Sequence, residues 1–262
     1  MVEEVRTLAA NGYKEIVLTG IHLSSYGIDF EKENGETDDL LSLIRAVHEV
    51  EGIERIRLGS LEPRIITEEF AEALANLPKV CPHFHLSLQS GCDATLKRMN
   101  RRYDAAEYEE KCHILRKYFK NPALTTDVIV GFAGETEEDF RESKDFVDRI
   151  DFYETHIFKY SKREGTRAAT MPNQVDEQEK TRRSNIMLEM NAEKMKKYEQ
   201  LWMGQDVEVL FEEIMEKDGI RYATGHTKEY LRMMYPCGDE PEDNWINQIK
   251  TITLMDNSQI IH

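Results

Sequence analysis

The chain has 262 residues, 40% of them hydrophobic and 32% charged, with a formal net charge of −16. That length buries a large core and fits one barrel-sized domain with a small extra module, and no apolar run approaches the length of a membrane span. The acidity excludes coating of nucleic acid by bulk electrostatics, because phosphate neutralisation needs clustered Lys and Arg, yet it leaves room for a local basic patch.

The opening segment MVEEVRTLAANGYKEI carries acids and no apolar core, so it does not read as a secretion signal, and a cytoplasmic protein is expected. Strand-like runs then recur at 15–20, 53–60, 83–90, 123–131 and 153–161. Between them, 40–51, 68–76, 105–118 and 137–150 carry apolar residues at helical spacing. Strands separated by amphipathic helices predict right-handed βαβ units and a parallel α/β sheet, either a barrel or an open doubly wound sheet. Asp104 is placed to cap the third of these helices, and Thr136 with Asp139 approximates a capping box on the fourth. Residues 176–202 predict one long helix with Leu188, Ala192, Met195, Tyr198 and Trp202 as its packing stripe. After Gly204 short strands and turns predict a small all-β module, giving boundaries at 1–175, 176–203 and 204–262.

In a parallel sheet the C-terminal strand ends open on one face, where ligands bind. Those ends are Thr19–Gly20–Ile21–His22, Gly59–Ser60–Leu61–Glu62, Gln89–Ser90–Gly91, Gly131–Phe132–Ala133–Gly134–Glu135 and Tyr160–Ser161. Glycine at four of the five suits either a tight turn or close approach of a ligand. The acids Glu135, Glu137, Glu138 and Asp139 oppose a phosphate at the helix start that follows, and a neutral or cationic ligand is expected there. His83 and His85 share a strand face, but a metal site needs a third ligand that the sequence does not reveal, so none is assigned. Cys81, Cys92, Cys112 and Cys237 lack any CxxC spacing and read as reduced thiols. Basic clusters stand at 97–102, at Lys159, Lys162, Arg163 and Arg167, and at 180–183; the first two follow strand ends and suit contact with a phosphate backbone.

Taken in order, LTGIHLSSYG, RIRLGSLEP, HFHLSLQSGCDATLKRMNRRY, TTDVIVGFAGETEEDF and FKYSKREGTRAATMPNQV resemble the radical S-adenosylmethionine methylthiotransferases. GIHLSS and LSLQSGCD look most like the branch acting on threonylcarbamoyl-adenosine at position 37 of tRNA. The isopentenyl-adenosine branch is the nearer alternative, and a ribosomal-protein branch the more distant one. The resemblance implies a partial (β/α) radical-SAM barrel with five strands visible, followed by a small all-β TRAM domain. It implies S-adenosylmethionine and 4Fe–4S clusters as cofactors and the tRNA anticodon stem-loop as partner, with no membrane role. In this family a reduced cluster cleaves S-adenosylmethionine to a 5′-deoxyadenosyl radical, and a methylthio group is installed at adenine C2.

Position by position, the resemblance assigns Thr19, Gly20, Ser60, Glu62, Gln89, Ser90, Arg102, Gly131 and Tyr160 to the cofactor. Arg102 is expected at the methionine carboxylate and Gly131 beside the adenine. Arg101, Lys162, Arg163 and Arg167 are expected at RNA. Family members also carry CxxxCxxC and three further cysteines, none of them present here, and thiolate ligation cannot be rebuilt from four scattered cysteines. The expectation is therefore a chain lacking the N-terminal cluster-binding domain and the first barrel strand, inactive alone, with an exposed sheet edge. Twelve acidic residues against five basic ones after Met203 argue against a positive RNA-binding surface there. Two rival readings are a non-catalytic tRNA- or protein-binding chain, and an unrelated barrel enzyme using Glu62 and His22 as acid and base.

Overall fold

The computed structural model describes residues 1–20, 23–27 and 39–262. In chain order its elements begin with α1 (Val2–Ala10), β1 (Glu15–Leu18), α2 (Leu40–His48), β2 (Arg55–Leu58), α3 (Glu68–Ala75), β3 (His83–His85) and α4 (Asp93–Arg98). They continue with α5 (Ala105–Tyr118), β4 (Ala123–Val130), α6 (Glu137–Ile150), β5 (Glu154–Lys159), α7 (Arg167–Thr170) and α8 (Glu177–Gln200). The last strands are β6 (Asp206–Lys217), β7 (Ile220–Thr227), β8 (Arg232–Pro236) and β9 (Gln248–Thr253). Two compact units result: Met1–Gly59, Glu72–His83 and Tyr198–His262 form one, and Ser60–Ala71 and Phe84–Lys197 the other.

In the first unit β1 and β2 pair in parallel, with Ile16 opposite Ile56 and Leu18 opposite Leu58. Asp39 starts α2 by accepting the Ser42 N–H at 2.9 Å, and Leu40, Leu43, Ile44 and Val47 bury one stripe of that helix. All four residues of β2 are buried, although two are arginines. Backbone and carboxylate oxygens receive most of their guanidinium donors, the condition for burying a charge, although Arg55 Nε has no partner among the described residues. Arg55 donates to the His226 and Glu208 carbonyls at 2.9 and 2.8 Å. Arg57 forks onto both Glu15 oxygens at 2.7 and 3.2 Å and donates to the Lys228 and Thr227 carbonyls. The C-terminal strands form an antiparallel sheet in the order β8-β7-β6-β9. A register shift between Phe211 and Glu213 bends β6, and no side chain fits at Gly225, where a Cβ would lie 1.9 Å from the Leu210 carbonyl oxygen.

In the second unit β4 is central, flanked by β3 and by β5, which pairs with it in parallel from Thr125 opposite Glu154 to Val130 opposite Lys159. Leu124, Thr126, Val128 and Val130 are buried on one face of β4, while Asp127 and Ile129 are half-buried on the other. Tyr108 of α5 lies between Phe146 and Phe152, each with its ring centroid 6.1 Å away, and its hydroxyl donates to the Leu86 carbonyl at 2.7 Å. Both expected caps are present: Asp104 accepts the Glu107 N–H at 2.8 Å, and Thr136 and Asp139 exchange bonds in a capping box.

The stripe expected on the long helix packs only in part: Met195, Tyr198 and Trp202 are half-buried, while Leu188 and Ala192 are exposed. Leu188 is 48% exposed, whereas Lys180, Arg183, Ser184 and Met187 are buried. The polar residues win that face because each finds a partner: Arg183 binds Glu135, Asn191 accepts the Thr155 N–H at 2.6 Å, and Lys194 meets Asp151 at 2.9 Å.

Candidate functional site

At the C-terminal ends of β3 and β4 lies a cavity of about 330 Å³. Its lining comes from Gln89, from Arg98, Met99, Asn100 and Arg101 at the end of α4, from Ile129 and Phe132, and from Arg167, Ala168 and Met171 around α7. Phe132, Ala133 and Tyr160 form the packed wall behind it, with the Phe132 and Tyr160 rings edge to face at 5.0 Å. Gln89 adopts φ 73°, a conformation rare outside glycine, and β4 holds it there: its N–H donates to Asp127 O at 2.8 Å and its carbonyl accepts the Ile129 N–H at 2.9 Å. Such local strain is found where surrounding structure fixes a residue for a task.

The acids near this cavity are already engaged, so the repulsion expected from them does not govern the site. Glu135 accepts the Gly131 N–H on both oxygens at 3.1 Å and the Arg183 Nη1–H at 2.7 Å. Burial lifts its carboxyl above the usual range against the pull of those donors. Asp139 takes Arg98 Nη2–H at 2.6 Å, and despite burial the Thr136 N–H and Arg98 hold it below the usual carboxylate range. Glu137 is bound by Arg182. Arg98 shares its charge with Asp139, so Arg101 and Arg167 give the cavity its basic side beside an apolar wall, which suits an anionic group joined to a flat or apolar one. In this cavity and its wall two buried polar atoms, Arg98 Nε and the Tyr160 hydroxyl, have no hydrogen-bond partner among the described residues.

Of the residues singled out in the sequence, Gln89, Arg101 and Arg167 meet in this cavity, with Tyr160 in its wall. Gly131 has φ 71°, and the space beside it is taken by Lys180, whose Cγ would lie 2.3 Å from an added Cβ. Ser90 is buried and bonded, its oxygen facing the Ser143 hydroxyl and the Cys92 N–H at 3.4 and 3.2 Å. Arg102 is exposed and outside the lining, and its carbonyl is bound by Arg64. Thr19, Gly20, Ser60, Glu62, Lys162 and Arg163 are exposed. Ile21 and His22 lie outside the described residues. Phe132 belongs to a strand end singled out in the sequence, and Arg98 and Met99 to the basic cluster at 97–102, although none of the three was given to the cofactor; Met171 was not singled out as a site residue. The three-residue step from Arg98 to Arg101 at a helix end was the available signal for Arg98.

The cysteines do not fit an iron–sulfur cluster. All four are buried, and burial pushes the Cys81 and Cys92 thiols up to about 11 and Cys112 to about 12, away from the thiolate a cluster needs. Among the described residues, the group that gathers three metal-binding side chains is instead His85, Asp127 and His156. His83 takes a different part, stacking on Tyr230 at 4.5 Å.

A mixed α/β chain with parallel strands and a cavity at their C-terminal ends is the setting in which comparison with known proteins becomes informative. Residues 1–147 match the Radical SAM superfamily, and the chain belongs to that superfamily. Its members use S-adenosylmethionine and 4Fe–4S clusters. The chain is 41% identical over 241 residues to the tRNA-2-methylthio-N(6)-dimethylallyladenosine synthase of Thermoanaerobacter sp. (strain X514), covering 92% of this chain and 50% of that protein. It is 38% identical over 236 residues to the threonylcarbamoyladenosine tRNA methylthiotransferase MtaB of Bacillus subtilis (strain 168), covering 90% and 51%. The chain thus spans about half the length of these curated relatives. Among solved structures, coproporphyrinogen III oxidase from Escherichia coli aligns with a TM-score of 0.49 and 16% identity over 58% of this chain and 36% of that one. No described helix is long and apolar enough to cross a membrane.

Proposed function

We propose that this chain acts in a tRNA methylthiotransferase that modifies C2 of N6-threonylcarbamoyladenosine at position 37. The observation that carries the methylthiotransferase reading is its identity of about 40% to two tRNA methylthiotransferases over nine-tenths of its length, while the choice of the threonylcarbamoyl branch rests on the resemblance of GIHLSS and LSLQSGCD. In this reading 1–175 form a partial radical-SAM barrel, 176–203 a connecting helix and 204–262 a TRAM-like module.

S-adenosylmethionine, when bound, supplies the radical precursor for this chemistry. The cavity with its apolar wall supports binding of such a ligand: Arg98, with its Nε unpartnered among the described residues, suits a carboxylate, while Phe132, Ile129 and Met171 offer an apolar surface to a base. Gln89 sets one edge of that cavity, and Tyr160 backs the wall with a hydroxyl free to donate. Arg167, with Lys162 and Arg163 on the exposed segment before it, is proposed to hold the phosphates of an anticodon stem-loop. The buried cysteines support the further reading that this chain's own cysteines hold no cluster, a point tested by iron and sulfide analysis after anaerobic reconstitution.

Nucleoside mass spectrometry of tRNA from a strain deleted for the coding gene tests the assignment. Loss of the 2-methylthio group from threonylcarbamoyl-adenosine is expected. Its loss from dimethylallyl-adenosine instead would move the chain to the other branch, and an unchanged nucleoside profile would overturn the function.

A further inference from the structure

The structure assigns a second, cysteine-free site to this chain: we infer that His85, Asp127 and His156 bind one divalent transition-metal ion of the zinc or ferrous class. The three residues come from the three neighbouring parallel strands β3, β4 and β5, and Asp127 and His156 stand directly opposite in the β4–β5 register. One ligand atom from each lies within 4.8 Å of the others. Two imidazoles and one carboxylate are a donor set typical of zinc and of ferrous iron, with water completing the coordination.

The spacing suits two ligands of one ion as well as a long hydrogen bond. His85 Nε2 is 3.3 Å from Asp127 Oδ2, longer than the 2.7–2.9 Å typical of a charge-assisted N–H···O bond. With metal–ligand distances of about 2.0–2.1 Å, two tetrahedral ligands stand roughly 3.4 Å apart. The His156 ring lies 5.7 Å from that of His85 and is tilted only 26° from it, which brings the third donor to the same point.

The surroundings suit a cation. His85 Nδ1 meets the Thr125 hydroxyl at 3.0 Å, an outer contact of the kind that orients a metal-binding imidazole. Glu154 lies 3.7 Å from His156 Nδ1 and brings a second negative charge beside that of Asp127. The His156 side chain is 44% exposed, which gives an ion and its waters a way in. Asp127 is two residues before Ile129 on the same face of β4, which places the ion about 7 Å along the strand from that cavity residue.

The test uses the whole chain, stripped with chelator, and zinc or cobalt(II) alone as the probe. Equilibrium dialysis is expected to give one bound zinc, with at least about tenfold weaker binding in each of His85→Gln, Asp127→Asn and His156→Gln. The cobalt form is expected to show ligand-field bands without thiolate-to-cobalt charge transfer, which separates this site from the cysteines. Circular dichroism checks each fold. If Asp127→Asn or His85→Gln does not fold, the half-exposed His156→Gln decides. Absence of zinc binding, unchanged affinity in His156→Gln or a thiolate band would overturn the assignment, the first leaving His85 and Asp127 as a proton-sharing pair.

Discussion

Arg183 reaches Glu135 at 2.7 Å with both side chains almost wholly buried, 5% and 4% exposed, and the same carboxylate holds the Gly131 N–H at the end of β4. The pair therefore ties α8 to the turn that carries Phe132 into the cavity. Breaking it from one side leaves an unpaired buried charge, so Arg183→Ala is expected to cost about 3–5 kcal/mol, measured by urea unfolding at neutral pH. Burial already lifts the Glu135 carboxyl, and loss of its cation lifts it further. Because the folded state then takes up the proton more readily than the unfolded one, the variant should regain stability as pH falls, and Glu135→Gln should be less harmful than Arg183→Ala.

Hydrogen bonds from Arg182 and Arg183 hold Glu179 at about 2, below the ordinary 4.5. A carboxylate with a depressed folded-state value contributes its stability above the unfolded value and loses it as pH falls through the folded one. Between about pH 4.5 and 2 the urea midpoint should decline, and the decline should be shallower in Glu179→Gln. An identical slope in the two proteins would show that the contacts at Glu179 carry no linkage.

Elements bounded by local chemistry were legible in the sequence. The helix expected at 105–118 is observed as Ala105–Tyr118, because Asp104 caps it and a three- and four-residue apolar spacing runs along it. The start of α6 was legible for the same reason, in Thr136 and Asp139. What could not be read were interactions whose partners lie far along the chain. The packed face of α8 is chosen by Glu135, Thr155 and Asp151 together with the buried Met187, and the arginines of β2 are buried because backbone carbonyls of 208, 226, 227 and 228 receive them. The same limit hid the third ligand beside His85, since Asp127 and His156 sit on other strands. In the cavity, the strand-end rule led to Gln89 and Tyr160, while Arg98 entered through a helix end that the strand pattern does not mark.

Gly131 illustrates a glycine whose purpose was clear only from the fold. Its φ of 71° disfavours any side chain, and an added Cβ would meet the rigid base of Lys180, at 2.3 Å from Cγ and 3.3 Å from Cβ. Gly131→Ala should therefore destabilise by about 1–3 kcal/mol, combining backbone strain with overpacking. Adding Lys180→Ala removes the clash but not the strain, so the double variant should recover part of the loss in urea unfolding. Full recovery would assign the whole effect to the clash, and none would assign it to the backbone.

Arg57 and Glu15 meet fork to fork, and the same guanidinium also holds two carbonyls, an arrangement that a single ammonium group cannot reproduce. Arg57→Lys should therefore behave as a disruptive change, lowering stability by roughly 2 kcal/mol or more because buried acceptors lose their donors. A midpoint equal to that of the unmodified chain would mean that water or a neighbouring donor replaces the missing bonds.

If the basic residues around α7 hold a tRNA backbone, their effect must carry an ionic signature. Replacing Arg101 and Arg167 with alanine should weaken binding of an anticodon stem-loop and flatten the dependence of log affinity on log salt, by about one unit for each phosphate that the protein no longer neutralises. Lys162→Ala and Arg163→Ala, on the exposed segment before α7, should do the same with little change in stability, since neither side chain is buried. Fluorescence anisotropy across a salt series separates this from a packing effect. A variant that weakens binding while leaving the salt slope unchanged would show that the arginine shapes the cavity rather than touching phosphate.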